Sequence, residues 1–299
     1  MRSAIVTGAN GFVGKAVVES LLSHGVEVFA VTHSEQSTED DHVISCDMDD
    51  YSKLPSIFDN KAPDVFYHFA WQGTSGAARG DELVQLKNVE GTCSAVRAAA
   101  KIGCKRFIFA SSIMEYEVDA AIKTQKIPDI SDVYSTAKLT ADYMARIIAA
   151  DLNIEYNSAL ISNIYGPGER SERLINSCIY KLIKGEHISL SPCDQLYDFI
   201  YITDAAEMFW AIGDKGVPGN VYYVGNRSIR PLKEFMTELR DVVAPGSELG
   251  FGEIPFDGVS LTYDEFDKDG IYRDTGISPL ISFADGIRST RDYILKESL

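Results

Sequence analysis

Tyr134 and Lys138, in the stretch Tyr134-Ser135-Thr136-Ala137-Lys138, form the most reactive pairing in the chain. At i and i+4 of a helix the two share one face. A free phenol holds its proton to about pH 10. An ammonium beside it favours the phenolate and brings the tyrosine toward the working range of a general acid or base. Ser112 closes the run Phe107-Ile108-Phe109-Ala110-Ser111-Ser112. A hydroxyl at the tip of a strand is placed to bond a substrate oxygen and steady the charge that develops there. Tyr-x-x-x-Lys also arises by chance on solvated helices, so the pair needs a second signal. That signal is Thr7-Gly8-Ala9-Asn10-Gly11-Phe12-Val13-Gly14, directly after the apolar Ala4-Ile5-Val6. Glycines at such a turn accept unusual backbone angles, admit a pyrophosphate close to the chain and let helix and strand pack tightly. The free N–H groups and positive dipole end of the following helix face the phosphates. A dinucleotide cradle, a Tyr-Lys pair and a serine-tipped strand together point to carbonyl–alcohol redox chemistry.

The elements that position these groups follow from hydrophobic pattern. Strands are expected at 3–7, 26–32, 42–46, 65–70, 106–111 and 154–161, with helices at 13–24, 52–60, 81–102 and 132–152. Strands that are apolar throughout belong to a parallel sheet covered on both faces. The alternation predicts an α/β fold, a doubly wound parallel Rossmann sheet. Beyond residue 165 Gly and Pro punctuate the chain. Helices at 171–184, 204–212, 232–243 and 283–297 and strands at 199–202 and 221–224 read as a smaller α+β C-terminal substrate lobe. The division is 1–165 plus roughly 198–226 for the dinucleotide-binding domain, and 166–197 with 227–299 for the lobe.

The end of the second strand bears on which cofactor is held. An acid there bonds the adenosine ribose and marks NAD. Here the residues are Thr32, His33 and Ser34, two hydroxyls and an imidazole that suit a 2′-phosphate, although no arginine stands among them and acids follow from Glu35. The reading leans to NADP and leaves NAD open.

Composition excludes other classes. The chain of 299 residues carries a net charge of −16 and no basic stripe, which argues against nucleic acid. No apolar run approaches the ~18 residues of a membrane span, and no signal-peptide pattern opens the chain. The 5 cysteines show no Cys-x-x-Cys spacing, which argues against a disulfide framework or a metal site and fits the cytoplasm.

These motifs resemble, nearly end to end, the extended short-chain dehydrogenase/reductase superfamily in its nucleotide-sugar epimerase/dehydratase/reductase branch. The glycine turn matches, Asp47 looks like the adenine-contacting aspartate, and His68-Phe69-Ala70 is similar to the strand beside the pyrophosphate. Asn88 matches a helix asparagine, Asn163–Gly168 a substrate-phosphate loop, and Asp198–Asp204 a downstream strand–helix motif. The resemblance implies a catalytic set of Ser112, Tyr134 and Lys138, with Lys138 also gripping the nicotinamide ribose. It implies cofactor contacts from Gly8, Asn10, Gly11, Phe12, Val13, Thr32, His33, Ser34, Asp47, Met48, Phe69, Ala70 and Asn88.

Departures narrow the expectation. Family dehydratases carry Asp-Glu directly after the catalytic hydroxyl residue; here those places are Ile113 and Met114. Tyr197 replaces an arginine common before the downstream motif, leaving Arg170, Arg173, Arg227 and Arg230 as phosphate partners. Trp71-Gln72-Gly73 followed by Arg79, Asp81, Gln85 and Asn88 resembles bacterial deoxysugar 4-ketoreductases. The implied substrate contacts are Trp71, Arg79, Asn163, Arg173 and Arg227. The expected activity is NAD(P)H-dependent reduction of a nucleotide-linked 4-keto-6-deoxy sugar. The alternatives are a 4-epimerase with retained NAD and an idle cofactor-sensing protein. A homodimer through 81–102 and 132–152 is implied as well; Val96, Ala99, Ala141 and Ala145 suit either that contact or the intrachain core.

Overall fold

A computed structural model describes residues 1–33, 42–58, 61–125, 127, 130, 132–171, 173–256 and 258–297. The first half runs β1 (Ser3–Thr7), α1 (Phe12–Ser23), β2 (Glu27–Thr32), β3 (Val43–Ser45), α2 (Leu54–Ile57) and β4 (Val65–His68). It continues with α3 (Glu82–Ile102), β5 (Arg106–Ser112), α4 (Glu115–Thr124), α5 (Asp132–Asp151) and β6 (Glu155–Ile161). Then come β7 (Asn163–Tyr165), α6 (Leu174–Lys184), β8 (Ile188–Leu190), β9 (Leu196–Tyr197), β10 (Phe199–Tyr201) and α7 (Ile202–Lys215). The chain ends with β11 (Val221–Val224), β12 (Arg230–Pro231), α8 (Leu232–Val243), β13 (Leu249–Phe251), α9 (Gly270–Thr275) and α10 (Phe283–Glu297).

Seven strands form one parallel sheet in the order β11-β6-β5-β4-β1-β2-β3. Chain order reverses between β1 and β4, where Thr7 pairs with His68. The crevice outside the carboxyl ends at such a reversal is where open α/β sheets bind ligands. Apolar strands are needed because both faces are covered. Ile5, Phe29, Phe66 and Phe107 pack under α3 and α5, whereas Ala4, Val6, Val28 and Ile108 pack against α1 and α7. This is the doubly wound Rossmann sheet that the alternation predicts.

Val96, Ala99, Ala141 and Ala145 are fully buried in the core where α3 and α5 meet the sheet, so they are not available to a second copy. Asp81 caps α3 by accepting from the amides of Leu83 and Val84 at 3.0 and 3.1 Å, a contact typically worth about 1 kcal/mol.

One local expectation fails. The helix at 52–60 is a 3-10 turn over Met48–Lys53 followed by the single turn α2, with Pro55 in its first positions. The segment after Ser112, to which the sequence pattern assigned no element, is the helix α4. Three two-stranded sheets pair β8 with β13, β9 with β12 and β7 with β10.

Candidate active site

The glycine turn is built around close backbone approach. Gly8 has φ +67°, and a Cβ there would lie 2.7 Å from the amide nitrogen of Ala70. A Cβ on Gly14 would lie 2.2 Å from the Gly8 carbonyl oxygen. Gly11 caps α1 without a side-chain hydrogen bond, so the first amides of the helix point outward unoccupied by protein groups of that kind. A diphosphate fits such a cradle. A cavity of about 360 Å3 continues from it, lined by Gly8, Asn10, Gly11, Thr32, His33, Asp47, Met48, Phe69 and Ala70. Phe12 and Val13 line a neighbouring cavity of about 240 Å3 that reaches Ser112, Tyr134 and Lys138. Nine expected cofactor contacts thus share one space and two more adjoin it. Ser34 lies outside the described residues.

Ser112, Tyr134 and Lys138 come together although 22 positions separate the first two. Ser112 ends β5 and its hydroxyl accepts from the Met114 amide at 3.2 Å. Tyr134 is buried, and the Arg79 guanidinium lies 4.1 Å from its ring centre. Lys138 donates to the Ala110 carbonyl at 2.8 Å, with its ammonium 3.7 Å from the Trp71 ring centre. The cationic help expected for Tyr134 takes another form. Burial raises its pKa, and it is the Arg79 and Arg173 charges with the Ser112 hydrogen bond that pull it back. Desolvation of the phenolate outweighs them in this chain alone. Burial likewise draws Lys138 down, against the charges of Glu115 and Asp142 that hold it up.

A further cavity of about 230 Å3 is lined by Arg79, Ser112, Ile113, Met114, Tyr134, Asn163, Glu169, Arg173 and Tyr197. Three expected substrate residues, Arg79, Asn163 and Arg173, therefore meet there. Two do not. Trp71 lines the two cofactor-side cavities and stacks across Lys138. Arg227 pairs with Asp269 at 2.7 Å and covers the Tyr272 ring, away from these cavities. Arg230 is likewise spent on Glu238 and the Phe235 ring.

Asn88 is placed differently from the expectation of a cofactor contact. It is fully buried, donates to the Gln72 carbonyl and accepts from the Gln72 amide, both at 2.8 Å. Gln85 holds the same loop, accepting from the Trp71 indole at 2.9 Å and donating to the Gly73 and Ala78 carbonyls at 3.0 Å. The Trp, Gln and Asn spacing is a loop clamp that fixes the Trp71 ring. His68 sits between the hydroxyls of Thr7 and Thr92, at 2.8 and 3.2 Å, and burial pulls it down to about 3, so the ring is neutral. Glu115 was not singled out by its sequence. It is a buried carboxyl within the β5–α5 layer, held by the Ser111 hydroxyl. Only the acidic start of a strong helix-forming segment hinted at it.

Cradle, switch point and proton-transfer cluster define a dinucleotide-dependent oxidoreductase of the doubly wound α/β class. Residues 4–225 match the NAD dependent epimerase/dehydratase family, and the chain belongs to that family, within the extended short-chain dehydrogenase/reductases of nucleotide-sugar metabolism. It is similar to dTDP-glucose 4,6-dehydratase 1 of Escherichia coli (strain K12), 23% identical over 335 residues covering 98% of this chain and 93% of that one. Protein CapI of Staphylococcus aureus is 20% identical over 329 residues, 98% of either chain. Among solved structures, UDP-glucuronic acid 4-epimerase from Bacillus cereus, in complex with UDP-glucuronic acid and NAD, superposes with a TM-score of 0.80 at 19% identity over 99% of both chains. UDP-glucose 4-epimerase from Thermotoga maritima does so at 0.78 and 18%, over 99% of this chain and 100% of its own. At these identities the structures establish the shared fold. No described helix is long and apolar enough to cross a membrane.

Proposed function

We propose that this enzyme reduces the 4-keto group of a nucleotide-linked 4-keto-6-deoxy sugar, with NADPH preferred to NADH. The observation that carries the reading is the pair Ile113 and Met114, which line the cavity beside Ser112 and Tyr134. Neither side chain can move a proton. The places where the resembled dehydratases carry the acid pair that eliminates water are therefore inert, and the carboxyl that does line the cavity, Glu169, is engaged with the Ser171 amide at 2.9 Å and Arg173 at 3.8 Å. The preference for NADPH rests on Thr32 and His33 in the adenosine-side cavity, where an NAD enzyme carries an acid.

The cofactor, held by Gly8, Gly11, Asp47 and Ala70, supplies the hydride when bound. In this reading Tyr134 gives its proton to the substrate oxygen, and the Ser112 hydroxyl bonds that oxygen as charge develops. Lys138 holds the ribose hydroxyls and sustains the proton supply of Tyr134. Arg79 and Arg173 gather positive charge in a chain of net charge −16, which suits the diphosphate of a sugar nucleotide. Residues 166–197 and 227–299 act as the substrate lobe. The working form is a cytoplasmic homodimer, consistent with 5 buried free thiols and with an apolar outer surface on α3 and α5, where Leu83, Leu86, Tyr143 and Ile147 are each more than half exposed.

The test is stoichiometry. With UDP-, dTDP-, CDP- and GDP-linked 4-keto sugars, a reductase consumes one NADPH per product. Tyr134→Phe should lose roughly 10²–10⁴ in kcat while NADPH affinity stays. Undiminished turnover in that variant overturns the mechanism. The second reading is a 4-epimerase, favoured by the UDP-sugar 4-epimerases among the structural neighbours. It predicts that the protein purifies with bound NAD and turns over with none added.

A further inference from the structure

The inner face of α5 carries a functional side chain at every fourth residue: Tyr134, Lys138, Asp142 and Arg146. The spacing stacks phenol, ammonium, carboxylate and guanidinium in one row. The far half of the row is paired off. Arg146 donates to Asp142 at 2.8 Å, and the Tyr156 hydroxyl donates to the other Asp142 oxygen at 2.7 Å. Lys138 is 5% exposed. Its ammonium meets the Ala110 carbonyl, the Trp71 ring and, at 4.9 Å, the Phe109 ring. Dipoles and ring faces lessen the cost of a buried ammonium, but a carboxylate must balance its charge.

Glu115 is placed to do so. It is 5% exposed at the start of α4, and the Ser111 hydroxyl donates to its carboxylate. Strand alternation sets Ser111 on the same face of β5 as Phe109, the ring that Lys138 approaches. Glu115 also lines, with Asp142, Arg146 and Ser158, a cavity of about 540 Å3 between α4 and α5, apart from the substrate cavity. The Ser158 hydroxyl, 1% exposed, has no partner there. The carboxylate thus borders a largely apolar cavity with Asp142, Arg146 and Ser158 among its polar walls. The charged and titratable groups bearing on the pair are Tyr134, Asp142 and Arg146 from α5, Tyr116 from α4, His68 from β4 and Tyr156 from β6. Burial and Asp142 push the Glu115 carboxyl up, and the Lys138 charge and the Ser111 bond draw it back.

We propose that Glu115 is a positioning residue for the Tyr134–Lys138 pair, the buried counter-charge that keeps Lys138 protonated at neutral pH. The inference rests on the reading of Tyr134 and Lys138 as the proton-transfer pair, and it adds an acid to that site.

Tryptophan fluorescence tests it without cofactor or substrate, so a wrong substrate assignment leaves the result intact. The chain has 2 tryptophans, and Trp210 stacks on the His24 ring at 3.6 Å, far from Lys138 in sequence, so its emission is removed first. In a Trp210→Phe background, Trp71 emission is followed from about pH 5 to about pH 10. The Lys138 transition is the one lost in Lys138→Met. Glu115→Gln should move it toward acid by at least about one unit, or bring it into range where the parent is flat, and Glu115→Asp should restore it. A Glu115→Gln transition at the parent's pH, or none below about pH 10, overturns the proposal. Should Glu115→Gln not fold, Ser111→Ala, which removes only the bond holding the carboxylate, is read the same way: an acid-ward shift supports the proposal and none overturns it.

Discussion

At the scale of single residues, the site is a set of side chains whose surroundings decide their chemistry. Tyr134 and Lys138 are legible because a four-residue spacing has one geometric meaning on a helix. Their electrostatics are not, since the cations bearing on Tyr134 are Arg79 and Arg173, brought from 55 residues before and 39 after. Trp71, Asn88 and Arg227 show the same limit. Their side-chain types permit ligand contact, but the fold commits them to a lysine ammonium, a loop carbonyl and an aspartate. Glycine is the opposite case, because its reason for being there is backbone space. Gly14→Ala sets a Cβ 2.2 Å from one backbone oxygen and 2.9 Å from the carbonyl carbon behind it, and neither can move aside. We expect NADH and NADPH affinities to fall by at least about tenfold, with a Tm lowered by several degrees. Fluorescence titration and calorimetry check this, and unchanged affinity for both cofactors contradicts it.

Elements are held in register by buried polar ties as well as by apolar packing. Asp198, at the entry to β10, is fully buried and accepts from the Tyr223 hydroxyl at 2.5 Å and the Asn226 amide at 2.7 Å, tying β10 to the end of β11. Its other oxygen has no partner, and burial pushes the carboxyl up to about 7. A carboxyl whose pKa is higher in the folded chain than in the unfolded chain binds its proton more tightly when folded. Its stabilisation is complete below about pH 4 and is lost as pH rises toward about 7, on the order of a few kcal/mol. Asp198→Asn removes the titration while keeping an acceptor. The drop in Tm between about pH 5 and about pH 8 should be several degrees smaller in the variant. An equal drop in both proteins shows that Asp198 is not its source. The long sheet strands are readable because burial on both faces demands continuous apolar runs. The helix α4 is harder to read, since it starts three residues after a strand and its buried face is set by α5.

For the whole molecule, the question is what covers α3 and α5. The small residues that suit a helix–helix contact are consumed inside the chain, and larger apolar side chains remain outside. Ile147 is 68% exposed and Tyr143 61% exposed on α5, and Leu83 is 67% and Leu86 61% exposed on α3. In the proposed dimer these exposed apolar side chains supply the contact. Ile147→Glu should convert a dimer to a monomer in light scattering at micromolar concentration, with the cofactor site intact. A parent that is already monomeric, or a variant that stays dimeric, removes this surface as the contact.

The sequence by itself determined the layering and the chemistry class. Periodicity of 3.6 against continuous apolar runs leaves few packings, and a glycine turn or a Tyr-x-x-x-Lys helix states its geometry locally. Only the tertiary structure decided the partners of those groups. It turned Asn88 and Gln85 into a clamp, sent Arg227 elsewhere, and brought Glu115 into the layer between β5 and α5. Those outcomes depend on distances between residues far apart in the chain, and charge and burial act through space.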